Sequence, residues 1–244
     1  MMIIKKLIHN TAKKFGISIN KISPQNSVEA GIYQIIKTNK INLILDVGAS
    51  EGQYASNIFD MGYKGKIISF EPLSDSYKKL LLKKNQNLSW DWEIYPRCAL
   101  GEENEIKTIN ISKDKVCSSF LPILQDFTTI IKSAKYVNSE EVEICRLDEI
   151  LKKSLKGNNA QIFLKIDTQG YEDKVLRGAS KILDDIKVIQ SEMSLIPLYK
   201  DQILFEESLK QLKDLGFKLY TLYPVCIDKE TGRTLQVDGI FIKI

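Results

Sequence analysis

Residues 41–54, INLILDVGASEGQY, constrain the fold more than any other stretch of the chain. Ile41, Leu43, Ile44 and Leu45 form a short apolar run that glycines stop. A run of this length, rich in branched side chains, reads as a strand buried on both faces of a parallel sheet. The strand ends at Asp46, a turn follows over 47–52, and the pattern from Gln53 to Met61 is helical. Strand, glycine turn and helix in that order build the crevice of an open α/β sheet.

The turn narrows the ligand. Its glycines, Gly48 and Gly52, are spaced G-x-x-x-G, whereas a dinucleotide turn needs G-x-G-x-x-G and a phosphate loop needs a Gly-Lys-Ser/Thr ending. Asp46 and Glu51 flank the turn, and two carboxylates there repel a pyrophosphate. They suit a ligand with positive charge and no phosphate, which S-adenosylmethionine is. A second strand over 66–70 ends at Glu71-Pro72, where an acidic side chain can accept both hydroxyls of a ribose. The plainer reading makes Asp46 and Glu71 ordinary polar residues at strand ends.

The chain resembles the FkbM-type methyltransferases, which use S-adenosylmethionine. The pieces that carry the resemblance are DVGASEGQY (46–54), FEP (70–72), ALGE (99–102), CSSFL (117–121), RLDEI (146–150), LKIDTQGYEDKVLRGA (164–179), IQSEMS (189–194) and DGIFIK (238–243). They run in the family's order over about five-sixths of the chain, and LKIDTQGYE is the most specific. Ser50 stands where the family usually has Asn, and Ala55 where it often has Ser. The resemblance implies a Rossmann-like class I methyltransferase fold of α/β class, with a seven-stranded, mostly parallel sheet and an antiparallel last strand. It implies cofactor contacts from Asp46, Gly48, Ala49, Ser50, Gly52, Tyr54, Glu71 and Pro72, and from one of Ser118 and Ser119, with Ser119 preferred. In such a fold the adenine lies near Cys98 and Ala99; a tight turn there is the equal alternative.

Length and composition fit this picture. The 244 residues suffice for one α/β domain, and 43% hydrophobic with 27% charged residues is ordinary for a globular chain. The net charge of +4 comes from scattered lysines rather than a dense basic patch, so nucleic acid is not an expected partner. Four cysteines without a C-x-x-C pair, and one histidine, His9, give no zinc site and no histidine base. The wide cysteine spacing favours reduced, buried thiols.

Residues 1–40 read as an N-terminal helical cap of two helices, one near 1–15 and one over 24–40, and 41–244 as the methyltransferase domain. The first helix has no uninterrupted apolar core, so neither a signal peptide nor a membrane span is expected, and the chain is expected in the cytoplasm. Its lysines leave open a peripheral membrane contact; packing on the domain or on a second copy is the plainer reading. Helices are expected over 74–84, with Ser74 as N-cap, over 172–183 and over 203–215. Further strands are expected over 90–95, 161–166, 187–191, 217–222 and 237–244. Two extra strands, over 104–111 and 140–146, flank a long loop over 112–138.

The strand over 161–166 lies beside the first strand and ends at Asp167, which therefore faces the reactive end of the cofactor. Asp167 is the first candidate base for an oxygen acceptor; holding the methionine ammonium is its rival role. Glu192, closing the next strand, is second. Lys165 shares a face with Asp167 and either orients it or snorkels out. Glu172 reads as a helix cap and Asp238 as a strand anchor. No acidic pair follows Asp167, so no metal is expected. The expected activity is O-methylation of a hydroxyl on a small molecule or glycan, such as a surface-polysaccharide sugar or a secondary metabolite. The alternatives are a nucleic-acid methyltransferase and a non-catalytic S-adenosylmethionine-binding module.

Overall fold

The computed structural model describes residues 11–17, 21–152 and 159–243. Its centre is β1 (Leu43–Val47) lying parallel between β2 (Lys66–Phe70) and β7 (Ile162–Ile166). All five residues of β7 are buried, which explains its continuous apolar composition. Beyond β2 runs β3 (Trp92–Ile94), parallel. Beyond β7 run β8 (Ile186–Ser194), the antiparallel β10 (Thr234–Lys243) and the edge strand β9 (Phe217–Ile227). The order β3-β2-β1-β7-β8-β10-β9 is the expected seven-stranded class I methyltransferase sheet with its last strand inserted antiparallel.

Alternation along the strands divides the core into two layers. Leu45, Val47, Leu164, Ile166 and Ile189 face one layer, covered by α5 (Leu147–Leu151), α6 (Glu172–Gly178) and α7 (Phe205–Asp214). Ile44, Ile67, Phe163, Val188 and Ile240 face the other. There α1 (Val28–Thr38) contributes Ile32, Ile35 and Ile36, and α2 (Gln53–Asp60) contributes Ile58 and Phe59. Each such side chain stabilises the fold by about 1.5–3 kcal/mol relative to exposure. Ser27 caps α1 by accepting from the Ala30 amide at 3.2 Å, so the helix starts at Val28 rather than at the expected Pro24.

Several expected boundaries move, each for a physical reason. Ser74 is the first residue of α3 (Ser74–Asn85) and not its cap, which is Leu73. β3 starts at Trp92 because Trp90 turns away to stack on Phe59, with ring centroids 4.8 Å apart. α6 ends at Gly178, five residues early. A β-carbon on Gly178 would stand 1.9 Å from the Gly101 carbonyl oxygen, so the helix passes too close to that segment for any other residue. β8 runs past β7 to Ser194 because β10 continues to pair with it, Asp238 opposite Glu192 and Gln236 opposite Ser194. Of the N-terminal helix, residues 11–14 are helical and 1–10 lie outside the described residues.

The extra strands form a second sheet. β5 (Glu105–Ser112) pairs antiparallel with β6 (Tyr136–Cys145), and β4 (Ala99–Leu100) lies parallel on the other side of β6. The connection expected to be an open loop is largely folded. It holds α4 (Gln125–Ile130) and a 3-10 turn (Lys132–Ala134), and Phe127 and Ala134 pack with Leu198, Tyr199 and Leu235. No helix among the described residues is long and apolar enough to cross a membrane.

Candidate active site

The carboxyl ends of β1, β2 and β7 open into a cleft roofed by the second sheet and by residues 115–120. Gly48, Ser50, Glu71, Pro72, Cys98, Ala99 and Asp167 all line it. Leu100, Ile109 and Phe120 add apolar wall. Gly48 has φ +76°, and a β-carbon there would lie 1.9 Å from the Asp167 carbonyl oxygen, so glycine is needed for the two turns to meet.

Glu71 is buried, 4% exposed, and braces the glycine turn. Its Oε2 accepts from the Ser50 amide at 2.7 Å and its Oε1 from the Leu73 amide at 2.8 Å. Burial pushes its carboxyl up to about 7, although the two amides and Lys165 oppose this. Each carboxylate oxygen keeps a free lone pair.

Other predicted residues stand elsewhere. Asp46 is fully buried under the sheet's α1–α2 face and does not line the cleft; its Oδ2 accepts from Ser69 Oγ at 3.1 Å. Glu51 points outward to Lys79, 2.7 Å away. The pair expected to repel a pyrophosphate is thus matched by cations, and the carboxyls that face the cleft are Glu71 and Asp167. Ala49 and Gly52 shape the turn from behind, and the Tyr54 hydroxyl reaches Gln190 Oε1 at 3.1 Å on the far face. Ser118, not Ser119, lines the cleft. Ser119 is 1% exposed and donates to the Gln169 carbonyl at 2.6 Å.

On the α1–α2 face a polar layer replaces the apolar one. Lys165 is buried rather than snorkelling; its Nζ donates to the Gly48 carbonyl at 3.0 Å. The ammonium lies 3.2 Å from Asp46 Oδ1, a charge contact without hydrogen-bond geometry, and 3.5 Å from Asp167 Oδ2. Burial would pull its pKa down; Asp167, Asp46 and Asp238 outweigh this and hold it above the ordinary lysine value. Asp238 accepts from Gln190 Nε2 at 2.8 Å, and burial, then Asp167, pushes it up to about 6. Glu192 lies inside β8 rather than at its end. It accepts from Gln169 and Gln236 at 2.7 and 2.6 Å. Burial, then Asp167, Glu172 and Asp238, holds its carboxyl well above the usual range. Glu172 does not cap α6; it accepts from the Thr168 and Gly170 amides and so fixes the turn after β7.

Sequence reasoning missed Gln169, Thr168, Tyr171 and Phe120, which border the cleft. Gln169 carried the one legible signal, a position directly before a glycine in the LKIDTQGYE segment. Among the described residues no group of three or more His, Cys, Asp or Glu is set to hold a metal ion.

The cleft fits S-adenosylmethionine in its chemistry. Glu71 offers free acceptor lone pairs for a diol, and apolar walls offer a berth for a flat ring. Among the described residues the lysine on the lining is Lys115, and it is paired with Asp75.

Comparison with solved structures gives low similarity. A methyltransferase FkbM from Methylobacillus flagellatus KT is 15% identical with a TM-score of 0.46, covering 82% of this chain and 43% of its own. A SAM dependent methyltransferase from Aquifex aeolicus is 14% identical with a TM-score of 0.45, covering 92% and 100%. An rRNA methylase from Streptococcus thermophilus is 10% identical with a TM-score of 0.48, covering 93% and 99%. No curated protein matches. A family model, described as Methyltransferase FkbM domain, matches residues 46–219, well over half of the chain. The glycine turn, Glu71 and the Asp167 strand end all fall inside that match, so the chain belongs to the FkbM methyltransferases and uses S-adenosylmethionine as its cofactor.

Proposed function

We propose that the protein methylates a hydroxyl group of a small molecule or glycan, with Asp167 as the base. The observation that carries this reading is the setting of Asp167. Its side chain is 36% exposed at the end of β7 and borders the cleft, while Lys165 and Gln169 hold it from behind. Glu71, the other cleft carboxyl, is already occupied by two main-chain amides.

In this reading Glu71 accepts from the ribose of the cofactor, and Cys98, Ala99, Leu100 and Phe120 enclose its ring. Gly48, Ser50 and Asp167 face its amino-acid end. When bound, S-adenosylmethionine supplies a methyl carbon activated by its sulfonium, and the carbon–sulfur electron pair departs with sulfur. Asp167 accepts the acceptor's O–H proton as the new C–O bond forms, and passes it to solvent afterwards. Lys165 and Gln169 fix the direction of that carboxylate, so the acceptor oxygen is held where it must attack. A neutral, hydroxyl-rich acceptor suits a site whose facing groups are carboxylates and amides. A phosphodiester backbone would meet the same carboxylates without compensating cations.

The test uses methyl-tritiated S-adenosylmethionine with a panel of free monosaccharides, nucleotide-linked sugars and phenols. The expected product is a base-stable methyl ether, and Asp167→Asn abolishes its formation. Label entering only amines or RNA, or undiminished transfer by Asp167→Asn, overturns the proposal.

A further inference from the structure

Gln169 occupies a conformation that its residue type rarely takes, with φ +54°, and it is 5% exposed. Its side chain sits between two carboxyl groups. Nε2 is 3.0 Å from Asp167 Oδ1 and 2.7 Å from Glu192 Oε2, so both amide protons are used. The Tyr199 hydroxyl lies 2.9 Å from Oε1, and the Ser119 hydroxyl holds the Gln169 carbonyl at 2.6 Å. The amide has one workable orientation. Reversed, its oxygen would face two acceptor groups at hydrogen-bond distance.

The two carboxyls that share this amide are not equivalent. Asp167 has a lysine ammonium 3.5 Å away and is partly open to the cleft. Glu192 receives only neutral amides, from Gln169 and Gln236, and is more enclosed. Two carboxylates on one amide cannot both ionise cheaply, and the member beside the cation keeps the charge. We propose that Gln169 is a positioning residue that holds Asp167 as the ionised member of this pair and aims it into the cleft, leaving the shared proton on Glu192. The proposal rests on reading Asp167 as the base.

Asp167 is faced by Lys165 on β7, Asp46 on β1, Glu192 on β8, Asp238 on β10 and Glu172 on α6. On the far side of Glu192 stand Tyr199, Cys117 and Cys226, all pushed upward by burial and therefore neutral. Gln169 is thus the neutral spacer in a group whose other members carry or share charge. Replacing it with glutamate keeps its size and its partner Tyr199 but inserts a third carboxyl.

The experiment needs no acceptor. Carboxyl-13C labelled protein is titrated by NMR, with the Asp167 and Glu192 signals assigned by their loss in Asp167→Asn and Glu192→Gln. Circular dichroism and a cooperative thermal melt confirm that each variant is folded. Gln169→Glu should move the Asp167 titration midpoint up by roughly one pH unit or more relative to the native protein. Tyr199→Phe, which frees the amide to turn, should move it the same way by less, and stands in if Gln169→Glu does not fold. A midpoint that stays in place while stability falls means a purely structural role and overturns the proposal. That failure is separate from failure of the base assignment, which the tritium assay on Asp167→Asn reads independently.

Discussion

The α-carbon of Gly48 faces the carbonyl oxygen of Asp167 so closely that a β-carbon would stand 1.9 Å from it. The glycine turn and the turn after β7 are therefore one packed unit. Gly48→Ala must part them and also strain a φ of +76°. We expect it to cost roughly 3 kcal/mol in urea unfolding and to abolish S-adenosylhomocysteine binding. A loss below about 0.5 kcal/mol, within the range of ordinary surface substitutions, would show that the turns can separate freely.

Lys165→Met removes the cation that lies 3.2 Å from the fully buried Asp46. Leaving a buried charge alone costs roughly 3–5 kcal/mol. The paired variant Lys165→Met/Asp46→Asn should recover more than half of that loss, as measured by chemical denaturation. No recovery would mean that Lys165 acts by packing alone.

Cofactor affinity should fall in acid. Burial places the Glu71 carboxyl at about 7 in the free protein, while in the proposed binding mode ribose hydroxyls donate to the ionised form. Binding therefore favours loss of the proton, and below neutrality the affinity for S-adenosylhomocysteine should drop by up to about tenfold per pH unit. Calorimetry from pH 8 to 6 measures this. Glu71→Gln should bind weakly with no such slope.

The ligand-free protein should show the opposite trend. Glu71 and Glu172 are raised to about 7 and Asp238 to about 6, so the folded state holds more protons than the unfolded chain from about pH 4.5 up to those values. These groups stabilise the fold below that window, and the gain is lost as pH rises through it. The melting temperature should be higher at pH 5.5 than at 7.5. An increase toward pH 7.5 would place these carboxyls in wetter surroundings than the structure gives them.

Ser119→Ala should cost roughly 1–2 kcal/mol through loss of the bond to the Gln169 carbonyl, with S-adenosylhomocysteine affinity nearly unchanged. A large loss of affinity would return Ser119 to the cofactor contacts.

The central strands β1, β2 and β7 were legible because they are short and apolar on both faces, and their period and stops need no tertiary information. Ile44, Leu45, Leu164 and Ile166 could be placed this way, whereas Val47, read as part of the turn, belongs to β1. What the sequence hid was direction. Asp46 and Glu71 both read as strand ends, yet Asp46 lies inside β1 and points under the sheet to Lys165, while Glu71 follows β2 and turns into the cleft. Strand parity alone does not say which face carries the ligand. Gln169 was hidden for another reason: its role depends on Glu192 and Tyr199, 23 and 30 residues away, and on a left-handed main-chain angle that glutamine seldom adopts.

β10 slots between β8 and β9, and through it Asp238 and Gln236 reach the carboxylate layer. On a ribosome this imposes an order of events. Residues 43–170, which supply the cofactor cleft, leave the exit tunnel first and can meet their ligand early. The carboxyl layer around Glu192 waits for residues 236–238, and β9 waits with it, since among the described residues its sheet neighbour is β10. A nascent chain stalled between these points would present Asp167 and the cleft without the polar layer that Gln236 and Asp238 complete.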